Sequence, residues 1–411
     1  MNATKTFDVQ KIRADFPILT REVHGRPLVY LDNGASAQKP RCVIDSIRHT
    51  FEHEYSNVHR AAHALSAACT DKFEQARRTV QRFINAPEDR EVIFVRGTTE
   101  AINLVAQTYG RENIRTGDEI IVSAMEHHSN IVPWQMLCEA TGAKLRVAPM
   151  DDTGTLIFDE YAKLLNDRTK LVAMVHVSNA LGTINPIKQV AEAAHKVGAV
   201  VLVDGAQAAP HMQIDVQDLG VDFYAFSGHK AFGPTGIGAL WGRAELLEAM
   251  PPWHGGGEMI KSVTFEKSTY AEIPHKFEAG TPNIADTIAL GVGLEYLMEI
   301  GLDAMEAYEH DVVEYATEQL GKIEGLRIIG TSPRKAGVIS FILDGIHAAD
   351  AGMILDEQGI AVRVGQHCAE PVMDFFKVPA TIRASFAFYN TKEEVDALVA
   401  GIQKVKDLFA Q

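Results

Sequence analysis

The chain has 411 residues, 46% hydrophobic and 23% charged, so a large core is possible and two domains are the default expectation. A formal charge of −15 argues against nucleic acid or an anionic membrane as the main partner. No apolar run reaches transmembrane length, the amino terminus lacks the apolar stretch of a secretion signal, and four scattered cysteines form no CxxC pair. A soluble, cytoplasmic protein without a zinc cluster or a disulfide framework is expected.

In chain order, Asp8 to Asp15 reads as a short helix capped by Asp8 and stopped by Pro17. Pro27 to Pro40 gives a short strand running into a polar turn. Helical patterns near 41–53 and 66–84 bracket a polar loop that holds His59, Arg60 and His63. The strand EVIFV stops at Arg96-Gly97, and Thr98-Thr99-Glu100 opens a helix. Two hydroxyls and free N–H groups at a helix start make either an anion seat or a plain N-cap. The pattern is neither GxGxxG nor a Walker loop. The next strand leads to His127-His128. Adjacent residues on a strand point apart and no third ligand stands out, so an imidazole lying against a flat ring is favoured over a metal site. Leu171 to Ile187 is a buried strand ending in Ser178-Asn179.

The most informative stretch runs from Val200 to Lys230. The apolar run Val200–Val203 ends on Asp204, with Gln207 in the following turn. A second strand, from Asp222 to Phe226, ends in Ser227-Gly228-His229-Lys230. Two neighbouring strands thereby deliver an acid, an amide, a hydroxyl, a histidine and a lysine to one sheet edge, where open α/β sheets bind ligands. An acid beside a lysine there fits pyridoxal phosphate (PLP), whereas Lys230 taken alone reads as a solvated surface lysine.

Thr281 lies in a Gly/Pro loop, where its hydroxyl is free to bind phosphate. One long helical stretch is expected from Thr287 to about Gly325, followed by a strand, a helix, the strand IAVRVG entering a loop, the strand TIRASF and a last helix from Asn390-Thr391. Cys42, Cys69 and Cys138 sit in or near helical patterns, as small core residues do. Cys368 lies in the loop GQHCAEP beside His367 and near Arg363; positive neighbours favour thiolates, and exposure permits attack. Arg383, inside a strand, needs an anionic partner, either a substrate carboxylate or a structural acid.

The ordered set RGTTEAIN, EHHSNIVPWQ, HVSNALGT, VDGAQA, SGHK, PTGIG, FEAGTPN and RVGQHCAEP followed by IRAS resembles the class V aminotransferase group of fold-type I PLP enzymes. More narrowly it is similar to the cysteine desulfurases of the SUF iron–sulfur assembly system, from about Phe7 to Phe409. The resemblance implies an α/β fold: a large domain (31–295) with a mostly parallel seven-stranded sheet, a small α+β domain (296–411), and an N-terminal segment (1–30) packed on the latter. It implies Lys230 as the Schiff-base lysine and Asp204 as the partner of the pyridinium nitrogen. Gln207 would bond the phenolic oxygen, with Asn179 near that oxygen and the substrate carboxylate, and His127 would act on the ring face. Thr99, Ser227 and His229 would hold the phosphate, and Thr281 the phosphate of the other subunit of a homodimer. Arg383 would clamp the substrate carboxylate, with Arg363 and His59 at the entrance, and Cys368 would accept sulfur from L-cysteine. The implied partners are an acceptor protein of SufE type and an iron–sulfur scaffold. Gln366 stands where many SUF-type members carry a second histidine, as in the cysteine sulfinate desulfinase branch. A selenocysteine lyase or sulfinate desulfinase is the alternative activity.

Overall fold

The computed structural model describes residues 7–60 and 62–410; residues 1–6 of the expected N-terminal segment lie outside the described residues. Seven strands form the central sheet: β1 Val92–Val95, β2 Glu119–Ser123, β3 Lys144–Ala148, β4 Thr169–Val175, β5 Val200–Asp204, β6 Phe223–Ser227 and β7 Gly238–Gly242. Their spatial order is β1-β7-β6-β5-β4-β2-β3. Strands β3, β2, β4, β5 and β6 pair in parallel, and β7 runs antiparallel to both β1 and β6. The carboxyl ends of β1, β2, β4, β5 and β6 therefore share one edge.

The central strands read as unbroken apolar runs because both faces are dry. Val172, Met174, Val201, Val203, Tyr224 and Phe226 pack into one core, while Leu171, Ala173, Leu202, Phe223 and Ala225 pack into the other. Strand β3 is one edge, and its exposed Lys144 and Arg146 discourage further pairing. Gly205, directly after β5, permits a close approach: a Cβ there would fall 2.2 Å from the Tyr224 ring. Gly205→Ala is expected to cost about 1–3 kcal/mol of stability, read as a lower denaturant midpoint.

A second, antiparallel sheet contains β8 Leu326–Ile329, β9 Val338–Leu343, β10 Arg363–Gly365 and β11 Thr381–Ser385, in the order β8-β9-β11-β10. Helices Leu302–Gly321 and Lys392–Phe409 cover it through Val312, Ala316, Leu320, Val395, Leu398 and Ile402. The last helix starts with a reciprocal capping box between Thr391 and Glu394. Chain ends meet here: Val29–Tyr30 pairs in parallel with Ile360–Ala361, and Arg13 binds Glu394 at 2.9 Å.

Two expectations need correction. The single long helix is two, Ile284–Ile300 and Leu302–Gly321, because Gly301 adopts φ 98° between them. The strand IAVRVG splits, Ile360–Ala361 pairing with Val29–Tyr30 and Arg363–Gly365 joining the second sheet. A hairpin of Ile260–Val263 with Ser268–Tyr270 has no counterpart in the sequence reading. Among the described residues no helix is long and apolar enough to cross a membrane.

Candidate active site

A cavity of about 200 Å³ opens at the shared carboxyl edge. From the large sheet it receives Thr98, Thr99, His127, Asn179, Asp204, Gln207, Ser227, His229 and Lys230, and from the second sheet Arg363, His367, Cys368 and Arg383. Larger clefts of about 580 and 470 Å³ run along Leu302–Gly321, and neither contains a residue expected at the site. Convergence of chemistry, not volume, marks the site.

Asp204, 3% exposed at the end of β5, accepts one backbone hydrogen bond, from Ala206 N–H at 3.0 Å. Among the described residues no cationic side chain lies within ion-pair distance of it. Burial raises its pKa, and Lys230 opposes that rise. A buried acid in that position calls for a cationic partner. Lys230 feels the opposite pressure: burial, assisted by Arg383 and Arg363 and opposed by Asp204 and Cys368, pushes its amine down to about 8.

One end of the cavity is built to receive an anion. Gly97, at φ 150°, leads into helix Thr98–Val105 as its N-cap residue and offers no side chain to cap it. Capping by the helix's own N-cap residue is therefore absent. Thr98 instead bonds Ser227 through both its N–H (3.0 Å) and its hydroxyl (2.9 Å), which ties the ends of β1 and β6 together. Thr99 stays exposed at the helix start, where N–H groups converge. His229 is pushed down to about 4 by burial and by the charges of Lys230 and Lys39, so it is neutral near pH 7.

His127 follows a turn after β2. Its Nδ1 accepts the Ser129 N–H at 3.1 Å, which leaves the ring proton on Nε2. Burial, with Lys230, His128, Arg383 and Arg363 acting in the same direction, pushes it down to about 3. The turn itself is clamped from behind by buried Glu126, which accepts from Ser123 Oγ (2.5 Å), Asn130 Nδ2 (2.6 Å) and Val175 N–H (2.9 Å).

At the opposite end, Arg383 is 2% exposed. It donates from Nη1 to the Asn179 carbonyl (3.0 Å) and from Nη2 to Asp32 Oδ1 (3.2 Å), while Nε has no partner. The sequence alternatives of carboxylate clamp and structural ion pair are thus both present in part. Asn179 Nδ2 donates to the His367 carbonyl at 2.6 Å and Gln207 Nε2 to the Gly34 carbonyl at 2.6 Å, whereas the amide oxygen of each is buried and unpaired. Buried polar atoms are rarely left unpaired. These orphans, the unpaired acid and the anion seat fit a cofactor with a phosphate, a protonated ring nitrogen and polar substituents, together with a substrate carboxylate.

Cys368 is exposed on the rim. His367 and Cys368 both adopt φ 55°, and the Cys368 carbonyl accepts from His128 N–H at 2.8 Å. His367 itself corrects the sequence reading. It is buried, bonded through Nε2 to Thr381 (2.8 Å), and pushed down to about 3 by burial and by Arg383 and Arg363, so near pH 7 it brings no positive charge to the thiol.

Two expected residues stand away from this cavity. His59 turns towards Glu74 (2.8 Å) and His275, and Thr281 lies in a separate cleft with Trp253 and Glu278. Within one chain neither lines the entrance or the anion seat, because each is held by the loops around helix Ala64–Phe83 and residues 275–283. Residues the sequence reading passed over are Asp32, Thr98 as the Ser227 partner, Ser129 and the clamp Glu126. The run LDNG after a short strand, and the hydroxyl beside Thr99, were the available signals.

A family model described as aminotransferase class-V matches residues 29–398. The chain belongs to the class-V aminotransferase family. It is 55% identical over 400 residues to a cysteine desulfurase of Synechococcus elongatus, covering 97% of this chain and 64% of that protein, so it spans less than two thirds of that relative's length. It is 51% identical over 402 residues to a probable cysteine desulfurase of Halalkalibacterium halodurans, covering 98% and 99%. The structure of the Escherichia coli cysteine desulfurase CsdA matches with a TM-score of 0.92 at 42% identity, over 98% of this chain and 99% of that one. The fold is accordingly the fold-type I α/β architecture of this family, as expected.

Proposed function

We propose that this chain is a PLP-dependent cysteine desulfurase that converts L-cysteine to L-alanine and keeps the sulfur as a persulfide on Cys368. The observation that carries this reading is one cavity lined by both the Lys230–Asp204 set and an exposed thiol. PLP, when bound, supplies an electron sink at the substrate Cα. Asp204 would hold the ring nitrogen protonated and Thr99, Ser227 and His229 the phosphate. His127 would cover the ring face, and Gln207 and Asn179 would position its polar edge.

Arg383 would fix the substrate carboxylate, with Arg363 at the rim. Lys230, with its lowered pKa, would take the Cα proton and return it elsewhere on the product. Cys368 would attack the substrate sulfur: one S–S bond forms, the substrate C–S bond breaks, and the carbon is protonated to alanine.

The same proposal includes a homodimer in whose interface Thr281 serves the partner's site, in keeping with its absence from the lining of its own chain's cavity. It further includes a division near residue 296 into large (31–295) and small (296–411) domains with 1–30 on the latter, an acceptor protein of SufE type, a cytoplasmic setting, and sulfur supply to iron–sulfur assembly. The test is alanine and protein-bound sulfur measured together from L-cysteine: equal amounts are expected, and no alanine sinks the reading. Arg383→Lys, which cannot present a bidentate fork, is expected to raise KM for L-cysteine about tenfold or more with a smaller change in kcat. Steady-state kinetics at saturating PLP checks this.

A further inference from the structure

We propose that Asp32 determines substrate choice by cancelling one of the two guanidinium charges at the substrate end of the cavity, so that a substrate with one anionic group is favoured over one with two. This inference rests on the desulfurase reading above.

Asp32 lies just beyond Val29–Tyr30 and bridges to Ser385 at the end of β11. Its Oδ1 is 3.2 Å from Arg383 Nη2 and its Oδ2 3.7 Å from Arg363 Nη1. Both arginines line the cavity and Asp32 does not, so it backs them without blocking the space a substrate uses. Arg383 spends Nη2 on Asp32 and Nη1 on the Asn179 carbonyl, and its Nε remains unpaired. Of five guanidinium N–H groups, enough are left for one carboxylate.

Lys230, whose amine the cofactor would take up in the loaded protein, is set apart here, and the two buried imidazoles at this end add no charge near pH 7. Burial, reinforced by the arginines, pushes His127 and His367 each down to about 3. The substrate end thus carries two positive charges and one negative, a net of one. A carboxylate on Arg383 uses it up.

L-Cysteine brings one such group and an uncharged thiol. L-Cysteine sulfinate brings a second anion on the carbon that bears the sulfur. Arg363 and Cys368 line the same cavity, so a sulfur brought to Cys368 shares that space with Arg363. With Asp32 ionised, Arg363 is half-quenched there. With Asp32 uncharged, Arg363 offers a full charge to the sulfinate. Release from the sulfinate breaks the C–S bond, adds a proton to the carbon and expels sulfur dioxide, which water converts to sulfite; no outside redox partner is required.

The test compares wild type, Asp32→Asn and Asp32→Glu, each loaded with PLP. The measurements are kcat/KM for alanine release from L-cysteine and from L-cysteine sulfinate, and the calorimetric affinity for L-cysteate, an unreactive dianionic analogue. Asp32→Asn is expected to raise the sulfinate-to-cysteine ratio about tenfold or more and to tighten L-cysteate by a similar factor, while Asp32→Glu stays near wild type. Asp32→Ser serves the same comparison if Asp32→Asn does not fold. Unchanged ratio and unchanged L-cysteate affinity in a folded, PLP-loaded uncharged variant overturn the inference. Wild type that releases no alanine from L-cysteine overturns the desulfurase reading instead.

Discussion

Cys368→Ser is expected to reduce alanine release from L-cysteine to below about 1% of wild type, because the attacking thiolate has no substitute in the cavity. The other cysteines are Cys42, Cys69 and Cys138, and none of them lines that space. The thiol's position is set rigidly. Two consecutive residues, His367 and Cys368, adopt φ 55°, a conformation that costs non-glycine residues of order 1–3 kcal/mol each. Three anchors hold them there: His128 N–H on the Cys368 carbonyl, Asn179 on the His367 carbonyl, and Thr381 on the His367 ring. A thiol held in this way reaches only a sulfur delivered to the cavity, and an acceptor must come to it. The variant should still bind L-cysteine, seen as a shift of the cofactor absorbance. Alanine at the wild-type rate from Cys368→Ser would show that sulfur leaves without this thiol, and the lyase alternative would take its place.

Lys230→Ala is expected to lower turnover by at least about 10²–10⁴-fold, the range for loss of a positioned acid–base group, and also to loosen PLP. The affected steps are separable. Cofactor retention after gel filtration reports the covalent hold, and exchange of the substrate Cα proton with deuterated solvent reports the base. The pKa near 8 adds a pH dependence with a definite sign. Only the neutral amine attacks an aldehyde, so the loading rate of cofactor-free protein should rise about tenfold per pH unit below 8 and level off above it. A loading rate flat from pH 6 to 9 would contradict the assignment, as would a Lys230→Ala protein with wild-type turnover.

Much of the architecture was legible without coordinates, for a local reason. Strands covered on both faces need apolar residues at successive positions, so β4, β5 and β6 announce themselves, and the polar residue ending each run marks the sheet edge. Asp204, Gln207, Ser227 and Lys230 could be placed together from this pattern, and the ordered motifs pointed to the family that the comparison with known proteins bears out. The hairpin at residues 260–270 escaped because its strands are short and largely exposed, with little apolar alternation to read. The break at Gly301 escaped because residues on both sides of it favour helix and a lone glycine reads as part of the run.

What the chain alone determined, then, is which segments are buried and which chemical groups stand at their ends, since burial imposes a periodicity on neighbouring residues. The partner of each group was decided only by the tertiary structure. Thr98 meets Ser227 across 129 positions of sequence, and Arg383 meets Asp32 across 351. His367, charged by assumption in the linear reading, is neutral because the fold buries it against Thr381 and beside two arginines. His59 and Thr281 were drawn towards the site by their motifs and stand apart from it within one chain, because the loops carrying them pack elsewhere. Hydrogen bonds and charges act over a few ångströms of space, and no local pattern records which distant segment the fold will bring within that reach.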